Sequence, residues 1–446
     1  MGEPTVRVRF APSPTGLMHL GNARVALLNW LLAKSKGGEF VLRFDDTDKA
    51  RSEERFVAAI ERDLRWLGLV WDERQRQSER MDSYRAAFEK LVADGRLYPC
   101  YETPEELEAM RKRRQRQRLP PIYDRAALKL TDADRKALVA AGRHAHWRFK
   151  LTDGDIRWDD LVLGPKHFEA KNLSDPVVIR EDGTFLYMLP SAVDDVDMRI
   201  THVVRGEDHV TNAAHQIQMI EALGAAPPAF AHVPLMLGPG GGPLSKREGA
   251  LDLGEIRAQG IEPRAVTALL AALGTADAPD PAADLATLSK NFDIAGFGRS
   301  SPRFDPADLA GFSAKVLHAM PFAEVRTRLE AMGLAGDDAA LWNAVGGNLE
   351  KFEDVRIWHA VCHGEIAAVV EDADFCRAAA GLLPPEPWDE TTWSAWTKAA
   401  GQATGRKGKA LFHPLRVALT GREQGPEMKA LLPLIGRARA LARLGG

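Results

Sequence analysis

The 446-residue sequence predicts an α/β protein: a parallel sheet with crossover helices, split by an inserted α+β domain and followed by an α-helical region. Three observations predict it. Strand-like and helix-like runs alternate near the start, the alternation breaks after about Leu97 and resumes at Phe185, and beyond Ala250 strand signals vanish. Regular alternation of strand and helix is the pattern of a parallel sheet whose connections cross over through helices.

VRVRF (Val6–Phe10) alternates and is β-branched enough for a strand, and the turn-rich APSPTG follows it. ARVALLNWLLAK (Ala23–Lys34) is apolar at helical spacing. FVLRF (Phe40–Phe44) predicts the second strand, followed by DDTD and the helix SEERFVAAIERDLRWLG. After the mixed, polar stretch beyond Leu97, FLYML (Phe185–Leu189) and ITHVVRG (Ile200–Gly206) predict further strands. A helix through HQIQMIEALG and a last strand in AHVPLML (Ala231–Leu237) complete the sheet. LGPGGGP (Leu237–Pro243) has no side chains to order it and is expected to move. PRAVTALLAALG, PADLAGFSAKVLHAM and PLIGRARALARL then predict helices, with a Pro/Asp-rich joint near Ala276–Asp284.

Hydrophobic residues make up 45% and charged residues 27% of the chain, the balance of a soluble globular protein, and the length predicts several domains. No run approaches the ~18 apolar residues of a membrane span. MGEPTVRVRF lacks the basic-then-apolar order of a secretion signal, so a cytoplasmic protein is expected. Cys100, Cys362 and Cys376 are far apart and form no CxxC pair, which suits a reducing compartment. The net charge of −3 neither announces nor excludes a nucleic-acid partner. RKRRQRQR (Arg111–Arg118) can grip phosphates, or can be the solvated end of a helix beginning in PEELEAM.

Two polar, glycine-bearing segments follow predicted strands. In APSPTGLMHLGNA (Ala11–Ala23), Gly16 and Gly21 let backbone approach a nucleotide, while His19 and Asn22 offer neutral donors to phosphate oxygens. The bland alternative is a helix N-terminus capped by asparagine. Neither GxGxxG nor GxxxxGK[ST] is present, so neither a dinucleotide fingerprint nor a P-loop is supported. In PLSKREGA (Pro243–Ala250), Lys246 on a loop can close over a triphosphate and offset charge building on departing pyrophosphate. The alternative there is an ordinary basic turn.

Together the two segments resemble the HIGH and KMSKS signatures of class I aminoacyl-tRNA synthetases, in the right order. The first reads His19-Leu20-Gly21-Asn22, with asparagine for the second histidine; the second reads Pro243-Leu244-Ser245-Lys246-Arg247, with proline for the first lysine. RFAPSPTG, LRFDDTD, VVRGEDHVTN, LSKREGA and PLRVALTG narrow the resemblance to bacterial glutamyl-tRNA synthetases, over Arg9 to Gly421. The resemblance implies that Arg9, Ala11 and Ser13 line a glutamate pocket and that Tyr187 and Arg205 complete it. Asp45, where the family often has glutamate, would face the substrate ammonium. Guanidinium groups suit a dicarboxylate because they hold carboxylates through paired hydrogen bonds. For ATP the resemblance implies His19, Gly21, Asn22, Ser245, Lys246 and Arg247 near the phosphates, Asp208 on the ribose side and Met236 by the adenine. His19 and Lys246 are the expected catalytic pair.

The resemblance also divides the chain. Residues 1–97 and 184–250 would be the halves of a Rossmann-like catalytic domain, and 98–183 an inserted domain holding the tRNA acceptor end. Residues 251–310 would be a helical stem-contact region and 311–446 an anticodon-binding domain. Trp342, Trp358, Arg416 and Arg422 are possible anticodon contacts, each equally readable as packing or surface charge. A monomer is expected that takes L-glutamate, ATP with Mg2+, tRNA(Glu) and, in a non-discriminating enzyme, tRNA(Gln). A glutaminyl enzyme is the nearest rival, but Arg205 in RGED fits an acidic side chain better than an amide. Some family members bind zinc through a CxC pair; Cys100-Tyr101-Glu102 keeps only the first cysteine, so no structural zinc is expected.

Overall fold

The structure, a computed structural model, describes residues 5–242, 252–334, 338–367 and 369–445. The chain forms two compact units. The first runs to Ile256 and takes in Thr267–Pro306; the second combines Arg257–Val266 with the residues from Ala307 onward.

The first unit opens with β1 (Arg7–Phe10), α1 (Leu20–Ser35), β2 (Glu39–Phe44), α2 (Glu54–Trp66), β3 (Glu73–Arg76) and α3 (Met81–Ala93). Next come β4 (Leu97–Cys100), α4 (Pro104–Arg116), α5 (Asp132–Ala140), β5 (His146–Phe149), β6 (Asp155–Asp160), β7 (Gly164–Glu169) and β8 (Val177–Ile179). The chain returns through α6 (Met188–Asp197), β9 (His202–Gly206), α7 (Val210–Leu223) and β10 (Ala229–Val233), then α8 (Leu253–Ala258), α9 (Pro263–Ala272) and α10 (Leu285–Lys290).

The main sheet has the order β10-β9-β1-β2-β3, and every pairing in it is parallel. Strand order therefore reverses between β1 and β9, and a crevice opens at such a reversal outside the carboxyl ends of the strands. β2 is buried along nearly its whole length and α1 packs by both sides, burying Ala26, Leu27, Leu28 and Leu31. A second core joins Tyr84 and Leu91 of α3 to Leu189 and Val193 of α6 and Ile217 and Ile220 of α7.

Within the insertion, β4, β5 and β8 form a small antiparallel sheet and β6–β7 a hairpin. Helices α4 and α5 bury no residue; reciprocal capping boxes at Thr103–Glu106 and Thr131–Asp134 satisfy their first turns instead. The hairpin reaches the main sheet, where the Leu161 amide donates to the Phe230 carbonyl of β10 at 2.9 Å.

Three expectations are corrected. FLYML is not a strand: Phe185 makes only an isolated bridge to Ile179, and Tyr187 caps α6. A five-residue apolar run cannot be told from a buried helix start by periodicity, and Pro190 sits in the first turn, where proline is tolerated. The last strand ends at Val233 because Pro234 has no N–H to continue a parallel ladder. PLIGRARALARL is two helices, broken at Gly436, whose φ of 76° and ψ of 158° are not helical.

The second unit carries α11 (Ala307–Ala319), α12 (Phe322–Ala331), α13 (Asp338–Val345), α14 (Val355–His363), α15 (Ala373–Ala380), α16 (Thr392–Thr404), α17 (Lys409–Thr420), α18 (Met428–Ile435) and α19 (Arg437–Leu444). Three of its tryptophans, Trp342, Trp358 and Trp396, are buried. Trp342 and Trp396 are buried with their indole N–H donating to the carbonyls of Met320 and Ala379. Gly425 lies so close to the Trp358 ring that a Cβ there would come within 2.1 Å of it.

Candidate active site

A cavity of about 570 Å³ lies at the carboxyl ends of β1, β9 and β10. Arg9, Ala11 and Ser13 enter it from β1 and the turn beyond, Asp45 from the end of β2, Tyr187 from the head of α6 and Arg205 from β9. His19, Gly21 and Asn22 line it from the start of α1, Asp208 from the turn after β9 and Met236 from the segment after β10. Ser245, Lys246 and Arg247, like the rest of PLSKREGA, lie outside the described residues.

At the α1 end the structure shows a capped helix start whose cap is His19, with Asn22 at the third helical position. His19 is the N-cap: its Nδ1 accepts from the Gly21 and Asn22 amides at 3.1 and 3.3 Å, and Asn22 Oδ1 accepts from the His19 amide at 3.4 Å. An Nδ1 that accepts carries no proton, so the neutral ring holds its proton on Nε2 as a donor. Gly21 is required by closeness, since a Cβ there would stand 2.9 Å from the His19 ring. Across the cavity, a Cβ on Gly206 would meet Asp208 Oδ1 at 2.4 Å and Leu235 Cδ2 at 3.2 Å, so only glycine leaves the Asp208 carboxylate at the cavity wall. Arg24 also lines the cavity, clamped by the Pro234 and Leu273 carbonyls at 2.8 and 2.9 Å; burial lowers its pKa to about 10.

The opposite end contains two kinds of buried cation. Arg9 donates from Nε to Asp195 Oδ1 at 3.0 Å. Arg43, fully enclosed, donates to Asp45 at 2.7 Å and to Asp195 at 2.8 Å, with Asp194 at 3.6 Å. Arg80, Gln77 and Tyr84 complete the contacts of Asp194. Burial pushes Asp45 up to about 6 against the pull of Arg43. Burial would raise Asp195 too, but Arg9 and Arg43 outweigh it and hold that carboxyl below its usual range.

Arg205 is different. Its Nε donates to His232 Nε2 at 3.1 Å, its NH1 to Gln216 Oε1 at 2.7 Å and Tyr187 Oη at 3.2 Å, and its NH2 to the His209 carbonyl at 3.4 Å. All four partners are neutral acceptors, and burial lowers the guanidinium's pKa. Among the described residues no carboxylate hydrogen-bonds to it, and Asp195 acts on it only through space; a buried cation held by neutral partners is a place where an anionic ligand gains most.

Sequence reasoning missed Arg43, Asp194, Asp195, Gln216 and His232. Arg43 carries a readable signal: it interrupts FVLRF, and a charge on a strand buried on both faces must be paired. The DD of AVDDVD is the matching half of that signal, although nothing in the sequence joins the two.

The insertion brings Cys100, Glu102 and His146 together, with one donor atom of each within 4.8 Å of the others. The sequence keeps only Cys100 of the CxC pair and suggests no further ligand, whereas β4–β5 pairing sets His146 opposite Cys100. Tyr123 Oη donates to Glu102 Oε1 at 2.6 Å, while burial pushes the Cys100 thiol up to about 12. The run Arg111–Arg118 is exposed on and just beyond α4. In the second unit Trp342 and Trp358 are core, Arg422 lies over the Trp358 ring, and Arg416 lines a surface cavity beside Trp393 and Phe412.

The family described as tRNA synthetases class I (E and Q), catalytic domain, matches residues 5–306, and the anticodon binding domain matches 374–446. Among similar proteins, glutamate–tRNA ligase 1 of Rhodospirillum rubrum is 56% identical over 444 residues, 99% of each chain. Glutamate–tRNA ligase 1 of Parvibaculum lavamentivorans is also 56% identical, over all of this chain and 99% of its own. The crystal structure of a glutamate tRNA ligase from Elizabethkingia meningosepticum, in complex with its amino acid, superposes with a TM-score of 0.83 at 27% identity, covering 99% of both chains. The enzyme from Elizabethkingia anophelis gives 0.81 at 26%, with the same coverage. Catalytic-domain kinship over 5–306 and whole-length likeness to bacterial glutamate–tRNA ligases place this chain in the class I glutamyl-tRNA synthetase family.

Proposed function

We propose that the chain joins L-glutamate to tRNA(Glu) through a glutamyl-adenylate, releasing pyrophosphate and then AMP. Arg205 is the observation that carries the choice of amino acid. Its partners are all neutral, so a substrate side-chain carboxylate supplies the missing anion, whereas an amide would leave the cation uncompensated.

In this reading Asp45 faces the α-ammonium, Tyr187 and Arg205 hold the side chain, and Arg9, Ala11 and Ser13 shape the wall between them. The α-carboxylate attacks the α-phosphate of ATP, and the P–O bond to pyrophosphate breaks. His19 Nε2–H and the Asn22 side-chain NH2 offer donors to the phosphates at the start of α1, where a helix N-terminus favours negative charge. Met236 borders the adenine and Asp208 the ribose. Lys246, with Ser245 and Arg247, closes over the leaving pyrophosphate. The tRNA's terminal ribose hydroxyl then attacks the activated carbonyl and AMP departs. No side-chain nucleophile is required; positioning and charge stabilisation do the work. Of the two carboxylates among the described residues that line the cavity, Asp45 is engaged by Arg43 and Asp208 lies 3.6 Å from the His209 ring, which is no cage for a cation. Magnesium therefore fits here as a companion of ATP, held chiefly by phosphate oxygens and water.

The proposed division of labour follows the sequence. Residues 1–97 with 184–250 carry the chemistry, and 98–183 hold the acceptor end, with the exposed arginines around α4 available to phosphates. Residues 251–310 contact the stem and 311–446 read the anticodon. Cys100, Glu102 and His146 offer three donors where a closed zinc site needs four, so no structural zinc is proposed; stoichiometric zinc in the purified protein would overturn this.

The deciding measurement is kcat/KM for glutamate and for glutamine, on wild type and Arg205→Cys with the same tRNA. Truncating one partner of a buried charge pair costs about 3–5 kcal/mol, so glutamate should lose far more than glutamine. Equal losses would remove Arg205 as the reader of the side chain.

A further inference from the structure

A line of hydrogen bonds enters the amino-acid end of the cavity from the β6–β7 hairpin. Asp160, at the end of β6, accepts through Oδ1 from the amides of Leu163 and His232, at 3.0 and 3.1 Å, and faces His232 Nδ1 with Oδ2 at 2.5 Å. On the other side of the same ring, His232 Nε2 faces the Nε–H of Arg205 at 3.1 Å. Asp160 and His232 are both buried, with the imidazole fully enclosed.

The chemistry permits one protonation pattern. A guanidinium Nε–H can only donate, so His232 Nε2 must offer its lone pair; a carboxylate Oδ2 can only accept, so Nδ1 must carry the proton. Burial would raise Asp160, but the hydrogen bonds from His232 and the backbone amides outweigh it and keep the carboxyl below its usual range. Burial likewise holds His232 below the usual imidazole value, against the pull of Asp160. The ring is neutral, as it must be beside a guanidinium.

We propose that Asp160 and His232 are positioning residues for Arg205. The carboxylate locks the imidazole tautomer, and the imidazole fixes the guanidinium about its Nε–H, leaving NH1 and NH2 toward Tyr187 and the cavity. The neutral ring between the charges is the essential feature. A carboxylate bonded to Arg205 directly would orient it but also neutralise it. Passing the orientation through an uncharged ring leaves the cation's charge for the substrate carboxylate. This rests on the reading of Arg205 as the side-chain reader, and it makes the inserted hairpin part of the amino-acid specificity apparatus.

Asp160→Asn is the sharp test. The amide oxygen can still accept from the backbone amides, so the turn survives, but the NH2 group now faces Nδ1. The ring must shift its proton to Nε2, setting donor against donor at Arg205. A wrong tautomer enforced by an Asp→Asn change behind a histidine is a strong perturbation with little change of shape. Loss of a partner that orients a metal-liganding side chain typically costs ~10–100-fold, and a loss on that scale is expected for Arg205. Asp160→Asn and His232→Leu should raise the KM for glutamate by that factor, lower kcat less, and narrow the preference for glutamate over glutamine. His232→Gln, whose amide offers an acceptor to Arg205 and a donor to Asp160, should recover most of the loss.

The proposal is overturned if Arg205→Cys abolishes the preference for glutamate while Asp160→Asn and His232→Leu keep wild-type KM and selectivity. Should Arg205→Cys itself leave selectivity intact, the reading of Arg205 fails first and the relay with it. Independently of any variant's folding, nitrogen NMR of wild-type protein with labelled histidines should show a ring protonated on Nδ1 alone, absent from His232→Gln. A His232 signal protonated on Nε2 would overturn the relay.

Discussion

Two buried cations a few side chains apart are treated in opposite ways. Arg43 sits among three carboxylates, Asp45, Asp194 and Asp195, and has no need of a ligand. Arg205 is also buried, yet its hydrogen-bond partners are an imidazole, an amide, a phenol and a carbonyl. Burial of charge is costly in both places. In the first the fold compensates it with carboxylates; in the second the hydrogen-bond partners are neutral, and under the proposed reading the compensation comes from the substrate. Hydrogen bonding without charge neutralisation is thus a better sign of a ligand site than burial of an arginine alone.

The contrast is broken most directly by removing each cation. Arg43→Met strands Asp45 and leaves Asp195 to Arg9 and Asp194 to Arg80, and unfolding in urea should show a loss of about 3–5 kcal/mol, the usual result of breaking a buried ion pair from one side. Arg205→Met removes a desolvated charge along with hydrogen bonds of ~1 kcal/mol each, terms of opposite sign. Its stability should move by less than about 2 kcal/mol either way, although glutamate use collapses. If the two variants were equally destabilised, Arg205 would belong to the structural network and not to the substrate.

The weak point of the compensated cluster is Asp45, which burial pushes up to about 6. If its carboxylate meets the substrate ammonium, the KM for glutamate should rise about tenfold for each pH unit below that value, and Asp45→Asn should flatten the profile. Stability runs the other way. The folded pKa is raised, so between about 6 and the unfolded value near ~4 the folded state binds the proton first, and this group's contribution grows as pH falls. A KM profile flat from pH 5 to 8 would detach Asp45 from the ammonium. The smallest change is Tyr187→Phe, which deletes one acceptor beside Arg205. It should cost about 0.5–1.5 kcal/mol in glutamate kcat/KM, roughly two- to thirteen-fold, with little effect on ATP. A loss as large as that of Arg205→Cys would make the phenol, not the guanidinium, the main reader.

Much of the molecule was legible before any coordinates. The alternation of VRVRF, FVLRF and ITHVVRG with amphipathic helices announced a parallel sheet, because apolar strands flanked by helices have few other ways to be covered. Gly21 in HLGN was read as a close approach of backbone to a nucleotide; what the structure shows beside it is the His19 ring, 2.9 Å from where a Cβ would stand. FLYML was misread because five apolar residues lack the length to reveal a period. His146 went unnoticed beside Cys100 because antiparallel pairing of β4 with β5 joins positions far apart in the chain.

The sequence by itself determined the elements, the glycine turns and the kinds of side chain at the candidate site, because these follow from local pattern and chemistry. Only the tertiary structure decided which charges meet. Arg43 and Asp195 lie 152 positions apart and Asp160 and His232 lie 72 apart. Whether a buried arginine is neutralised by a carboxylate or merely steadied by a neutral ring depends on distances of a few ångströms, which sequence spacing does not carry.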